Sequence, residues 1–119
     1  MNTKPIGPKI HGAIDYGFVA MQALAPNIFN LKGSARTLCY TFAATQGVIN
    51  SFTNYPLGLK RLIPFHLHKQ IETPVLPALV VLPWITGAFK EGKARRFFLA
   101  SFGIALATYL LTDYRAYQK

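Results

Sequence analysis

Read for hydrophobic and polar positions alone, the chain divides into four long apolar runs, residues 11–31, 35–54, 68–88 and 94–112, with lysines and arginines gathered between them. About 20 apolar residues in helical form cover the ~30 Å hydrocarbon core of a bilayer, so each run predicts a spanning helix. A soluble four-helix bundle needs a polar stripe along each helix, and the first, third and fourth runs offer none. The expected fold class is all-α: a membrane four-helix bundle forming a single membrane domain over residues 1–119.

The pattern also returns on itself. His11-Gly-Ala-Ile-Asp15 comes back 57 positions later as His68-Lys-Gln-Ile-Glu72, and the same offset lays Ile14 on Ile71, Leu24 on Val81, Pro26 on Pro83 and Ile28 on Ile85. Beyond a two-residue insertion, an offset of 59 lays Gly33 on Gly92, Ala35 on Ala94 and Arg36 on Arg95, then Thr53-Asn54-Tyr55 on Thr112-Asp113-Tyr114. The first repeat covers residues 9–55, a connector 56–65, and the second repeat 66–114. Two tandem two-helix repeats enter a membrane in the same direction, which predicts a pseudo-two-fold axis along its normal and both termini on one side.

Prolines punctuate the runs. Pro26 predicts a kink or early end of the first helix, and Pro74, Pro77 and Pro83 free carbonyls in the third. Alternatively, Thr73 caps a shorter third helix with Pro74 at its first position. Lys32-Gly33-Ser34 and residues 90–96 read as tight turns, and the connector as an amphipathic segment lying in the interface. Residues 1–9 read as a tether and 114–119 as a basic, aromatic tail. Asp15 inside the first run, and Pro26 directly after Ala23-Leu24-Ala25, argue against a cleaved signal peptide.

Charge sharpens this picture. Only 14% of residues are charged, yet the net charge is +9, against about 25% charged residues in a soluble domain. A nucleic-acid module clusters its cations on one face; here they divide among the termini and connections, so no nucleic-acid partner is expected. Anionic headgroups, worth about 1 kcal/mol per Lys or Arg, account for the excess, and the lipid bilayer is the expected partner, beside a larger membrane complex or a homo-oligomer. The expected location is integral to a membrane; seven basic residues on one side against six on the other leave orientation open. Tyr16, Tyr55, Tyr114 and Tyr117 predict one aromatic belt, and Trp84, Phe89, Phe97 and Phe98 the other. Cys39, alone in an apolar run, reads as a buried, inert thiol.

Candidate chemistry lies at one end. His11 and Asp15, like His68 and Glu72, are four apart and share a helical face. The pseudo-symmetry brings those faces together, with Asn50, Thr53, Asn54, Thr112 and Asp113 at similar depth and His66 nearby. This polar cluster of His11, Asp15, His68, Glu72, Asn50 and Asp113 reads first as structural, each acid pairing with the histidine of the other repeat. Facing histidines also suit haem iron or a transition metal, with His11 and His68 as ligands, and ionisable groups within spans mark ion routes. Gln46 and Asn50, four apart on the second run, seek partners on a neighbouring helix. No nucleophile motif, metalloprotease motif or phosphate loop occurs, so no enzyme is expected.

At Leu82-Pro83-Trp84-Ile85-Thr86-Gly87 the chain resembles the SPW-repeat membrane proteins, small bacterial proteins built from two-helix units. Leu82 stands where that family has Ser, and in the first copy Asn27 follows Pro26 where Trp would stand. The resemblance implies a bacterial multi-pass protein, hence an expected place in the bacterial inner membrane, without an established activity, and carries over no catalytic residue. The expected function is a structural, accessory or interaction subunit of a membrane assembly, without a cofactor. Two alternatives stay open: a haem or metal carrier using His11 and His68, and a small proton- or ion-coupled transporter using Asp15 and Glu72.

Overall fold

In the computed structural model, which describes residues 4–53, 56 and 58–113, Pro8 begins the first helix. Its fixed φ and missing N–H suit a first turn, where no intrahelical donor is needed. Helix α1 (Pro8–Ile28) carries Pro26 in its last turn and ends at Phe29. Asn30 and Gly33 then take left-handed backbone, φ 54° and 60°, to reverse the chain. Arg36 closes this turn: its guanidinium donates to Leu31 O, a carbonyl of the turn itself, at 3.1 Å and to Asn27 Oδ1 at 2.7 Å. Helix α2 (Gly33–Ser51) runs back along α1.

The connector folds over the end of α2. Leu59 and Lys60 N–H groups donate to Ser51 O, and Leu62 and Ile63 to Phe52 O, while Leu59 and Leu62 stand exposed beside Lys60 and Arg61. Helices α3 (Phe65–Glu72) and α4 (Val75–Ile85) follow. The sequence favoured one rod over residues 68–88; the structure interrupts it at Thr73 and Pro74. Both keep right-handed helical dihedrals, so the chain continues in nearly the same path while proline removes a ladder donor. Thr73 Oγ1 donates to Lys69 O at 2.8 Å. Gly87, at φ 86°, and a 3₁₀ turn, Ala88–Lys90, lead into α5 (Gly92–Leu111), which packs along α4. Arg95 donates to Phe89 O at 3.1 Å, serving the second turn much as Arg36 serves the first.

The architecture is therefore all-helical, two helical hairpins side by side, with α3 and α4 forming one broken arm. A core of Phe18, Ala25, Leu31, Ala35, Cys39, Phe42, Leu79, Ala94 and Phe98 fills the half nearest the two basic turns. Phe98 is fully buried, with its ring 6.2 Å from that of Phe42. This corrects its expected place in an aromatic belt: α5 turns that position toward α2. Trp84 is 69% exposed. Asn54, Tyr55 and residues 114–119, expected at the polar end, lie outside the described residues. Of the helices, α5 alone among the described residues is long and apolar enough, by length and composition, to cross a membrane.

Candidate metal centre

The other half of the bundle has a polar interior. His11 and Asp15 lie on successive turns of α1, and His68 and Glu72 on successive turns of α3, each pair turned inward by its four-residue spacing. Thr53 and Thr112 stand just past the ends of α2 and α5, and short bridges hold them in place: Thr53 against Ile63, and Thr112 against Ile6. All six are nine-tenths or more buried.

The two threonines set which imidazole nitrogen faces the centre. Thr53 Oγ1 donates to Ile49 O and lies 2.7 Å from His68 Nδ1. Thr112 Oγ1 donates to Thr108 O and lies 2.8 Å from His11 Nδ1. A hydroxyl has one proton, and here the carbonyl takes it, so each threonine oxygen accepts from a protonated Nδ1. Both histidines therefore direct Nε2 inward. Phe65 packs edge-on against His11, ring centroids 5.4 Å apart, and lies 6.1 Å from His68, holding both rings in place.

At the centre, His11 Nε2 stands 3.1 Å from Asp15 Oδ2 and 3.4 Å from Glu72 Oε2. His68 Nε2 stands 3.1 Å from Asp15 Oδ2 and 2.7 Å from Glu72 Oε2. Each carboxylate thus meets both histidines, on its own helix and across the bundle. Neither Asp15 Oδ2 nor Glu72 Oε2 accepts an aligned hydrogen bond. These four donor atoms lie within 4.8 Å of one another. Donors about 2.0–2.1 Å from one ion stand roughly 3–4 Å apart, depending on whether they meet at tetrahedral or wider angles; the four nitrogen–oxygen separations here are 2.7–3.4 Å. No family model matches the sequence, and no curated protein or solved structure matches it.

The remaining candidates are distributed around this centre. Asn50 is fully buried one turn before Thr53, and neither atom of its amide has a hydrogen-bond partner. Gln46, a further turn along α2, lines a small cavity with Asp15 and Glu72. Asp113 lies outside the convergent group; its backbone N–H donates to Ile6 O, which ties the segment before α1 to the end of α5. His66 is exposed. A porphyrin must lie between its axial imidazoles; here the rings meet edge to face at 5.4 Å and the carboxylates fill the space between them, so haem does not fit. Sequence reasoning placed Thr53 and Thr112 at the right depth without assigning them to the histidines, and missed Phe65, whose signal is its position three residues before His68 on one helical face.

Proposed function

We propose that this chain is a small integral membrane protein whose helical bundle holds one divalent first-row transition-metal ion at His11, Asp15, His68 and Glu72. The observation that carries the metal reading is the convergence of four electron-rich atoms whose histidine members have Nδ1 protonated by their threonine contacts. The two buried carboxylates are balanced either by a second proton on each imidazole or by a cation among the four atoms, and the inward convergence of all four suits the cation. Two neutral imidazoles and two carboxylates offset a divalent ion, which leaves the buried cluster without net charge. Mixed nitrogen and oxygen donors suit zinc, iron, cobalt and similar ions. The same groups were expected as a polar end for docking another component; their inward direction and burial favour ligand holding over docking.

Support for the bilayer comes from where polarity sits. Gln22, Gln46, Asn50, Ser101 and Thr108 are buried, while Leu24, Ile28, Val48, Trp84, Ile85 and Leu110 are more than half exposed. A groove of about 570 Å³ between α4 and α5, lined by Leu76, Val80, Val81, Leu99, Phe102 and Leu106, offers lipid chains an apolar surface. In α1 and α2 the polar residues Gln22, Gln46 and Asn50 are buried, away from the surface that would face lipid. Paired threonines, paired arginines and the matching bridges at Ile6 and Ile63 support descent from a duplicated hairpin.

The test is metal analysis of untagged protein purified in mild detergent from washed membranes. One ion per chain is expected, with stoichiometric binding lost in His11→Ala and His68→Ala. Recovery of the protein without membranes overturns the location; absent binding by the wild type, or binding by both variants equal to that of the wild type, overturns the site.

A further inference from the structure

The four inward donor atoms are all buried, but Asp15 and Glu72, unlike the histidines, also border a cavity. His11 and His68 are fully buried beneath Phe65, whereas Asp15 and Glu72 keep 8% and 5% exposure. Both acids line a cavity of about 20 Å³ bounded also by Phe18, Gln46, Ala105 and Thr108. About 10–15 Å³ admits one water, provided two to four polar groups hold it. This cavity supplies them. The Thr108 hydroxyl donates to Ile104 O, so its oxygen remains an acceptor, and Gln46 adds an amide with no hydrogen-bond partner among the described residues. An uncharged amide kept on an apolar helix, beside two carboxylates and with room for one small molecule, matches a ligand-holding group better than a packing residue.

We infer that the centre is open on this side: the cavity holds an exchangeable, water-sized oxygen ligand between Gln46 and the carboxylates, within reach of the ion. This rests on the metal reading above. Structural sites satisfy their ion with protein ligands alone, whereas sites that do chemistry or exchange ligands keep an open position. The inference therefore assigns the protein to the second kind, with small neutral or anionic oxygen donors as its ligand class.

The experiment loads the full-length protein with Co²⁺ in detergent and measures coupling to ¹⁷O-enriched water by pulsed electron paramagnetic resonance. The wild type is expected to show one exchangeable oxygen. Gln46→Leu, nearly unchanged in volume, is expected to weaken that coupling, and Ala105→Leu, which fills the cavity, to abolish it, both at unchanged Co²⁺ stoichiometry. Bound Co²⁺ with no coupled oxygen, or coupling unmoved in Gln46→Leu and in any folded Ala105→Leu, overturns the open site alone. Failure of the wild type to bind Co²⁺ overturns it together with the metal reading.

Discussion

The two halves of the bundle are held together by different physics. Near the basic turns, Phe18, Phe42, Leu79 and Phe98 interlock as an ordinary apolar core. Near the connector, the same helices enclose His11, Asp15, His68, Glu72, Thr53, Thr112 and Asn50. Apolar packing tolerates exchange between shapes of similar volume, so that half specifies little beyond size. The polar half specifies identity, since each buried group needs a particular partner. If the surroundings are lipid, as proposed, helices gain little from apolar burial, and directional contacts do more of the work of choosing one arrangement.

The sharpest way to separate the halves is to remove a ligand. His68→Ala is expected to abolish stoichiometric metal binding, and with it the stabilisation that the ion confers. An ion present at about 1,000 times its dissociation constant contributes about 4 kcal/mol. Thermal unfolding with and without metal should therefore differ for the wild type and coincide for the variant. A wild type whose midpoint ignores metal would show that the polar half is complete without an ion.

Phe98→Ala attacks the apolar half. Phe-to-Ala changes in packed cores cost about 3–5 kcal/mol, and Phe98 is fully buried against Phe42 and Phe97. The expected result is a large loss of thermal stability with metal affinity retained in the folded fraction, read by titration below the midpoint. A parallel loss of affinity would mean that the halves are coupled through the helices they share.

Between these lies the pair of threonines. Thr53→Val and Thr112→Val keep shape but remove the oxygen that fixes each imidazole. Changing groups that orient a metal-bound histidine typically costs about 10–100-fold in affinity, and that loss is expected here from competition titration, with the fold intact. Equal affinity in Thr53→Val would show that helix packing alone aims His68.

Part of this arrangement was legible beforehand, and the boundary has a physical basis. The four-residue spacing of His11 with Asp15, and of His68 with Glu72, gives shared faces because a helix turns every 3.6 residues. The first turn was readable from Lys32-Gly33-Ser34, since a left-handed backbone favours glycine. Phe98 was not readable: in a run apolar on every side, no stripe distinguishes the buried face. The bond between His11 and Thr112 joins residues 101 positions apart, and only packing of α1 beside α5 creates it. The break at Thr73 stood as an alternative, because proline marks where a helix loses a donor but not whether its neighbours carry it on.

The smallest expected effect lies where the two halves meet. Gln22 Nε2 donates to Ser101 Oγ at 3.3 Å, and Gln22 Oε1 has no partner. Ser101 Oγ also donates to Phe97 O, so Ser101→Ala leaves the Gln22 amide without its acceptor. Contacts of this kind between helices average about 0.6 kcal/mol in lipid, small because a freed side chain finds other partners. Thermal unfolding of Ser101→Ala is therefore expected to shift only slightly, with metal affinity unchanged. A loss comparable to that of Phe98→Ala would place this pair inside the polar half, and extend that half one turn deeper than the cavity beneath Asp15.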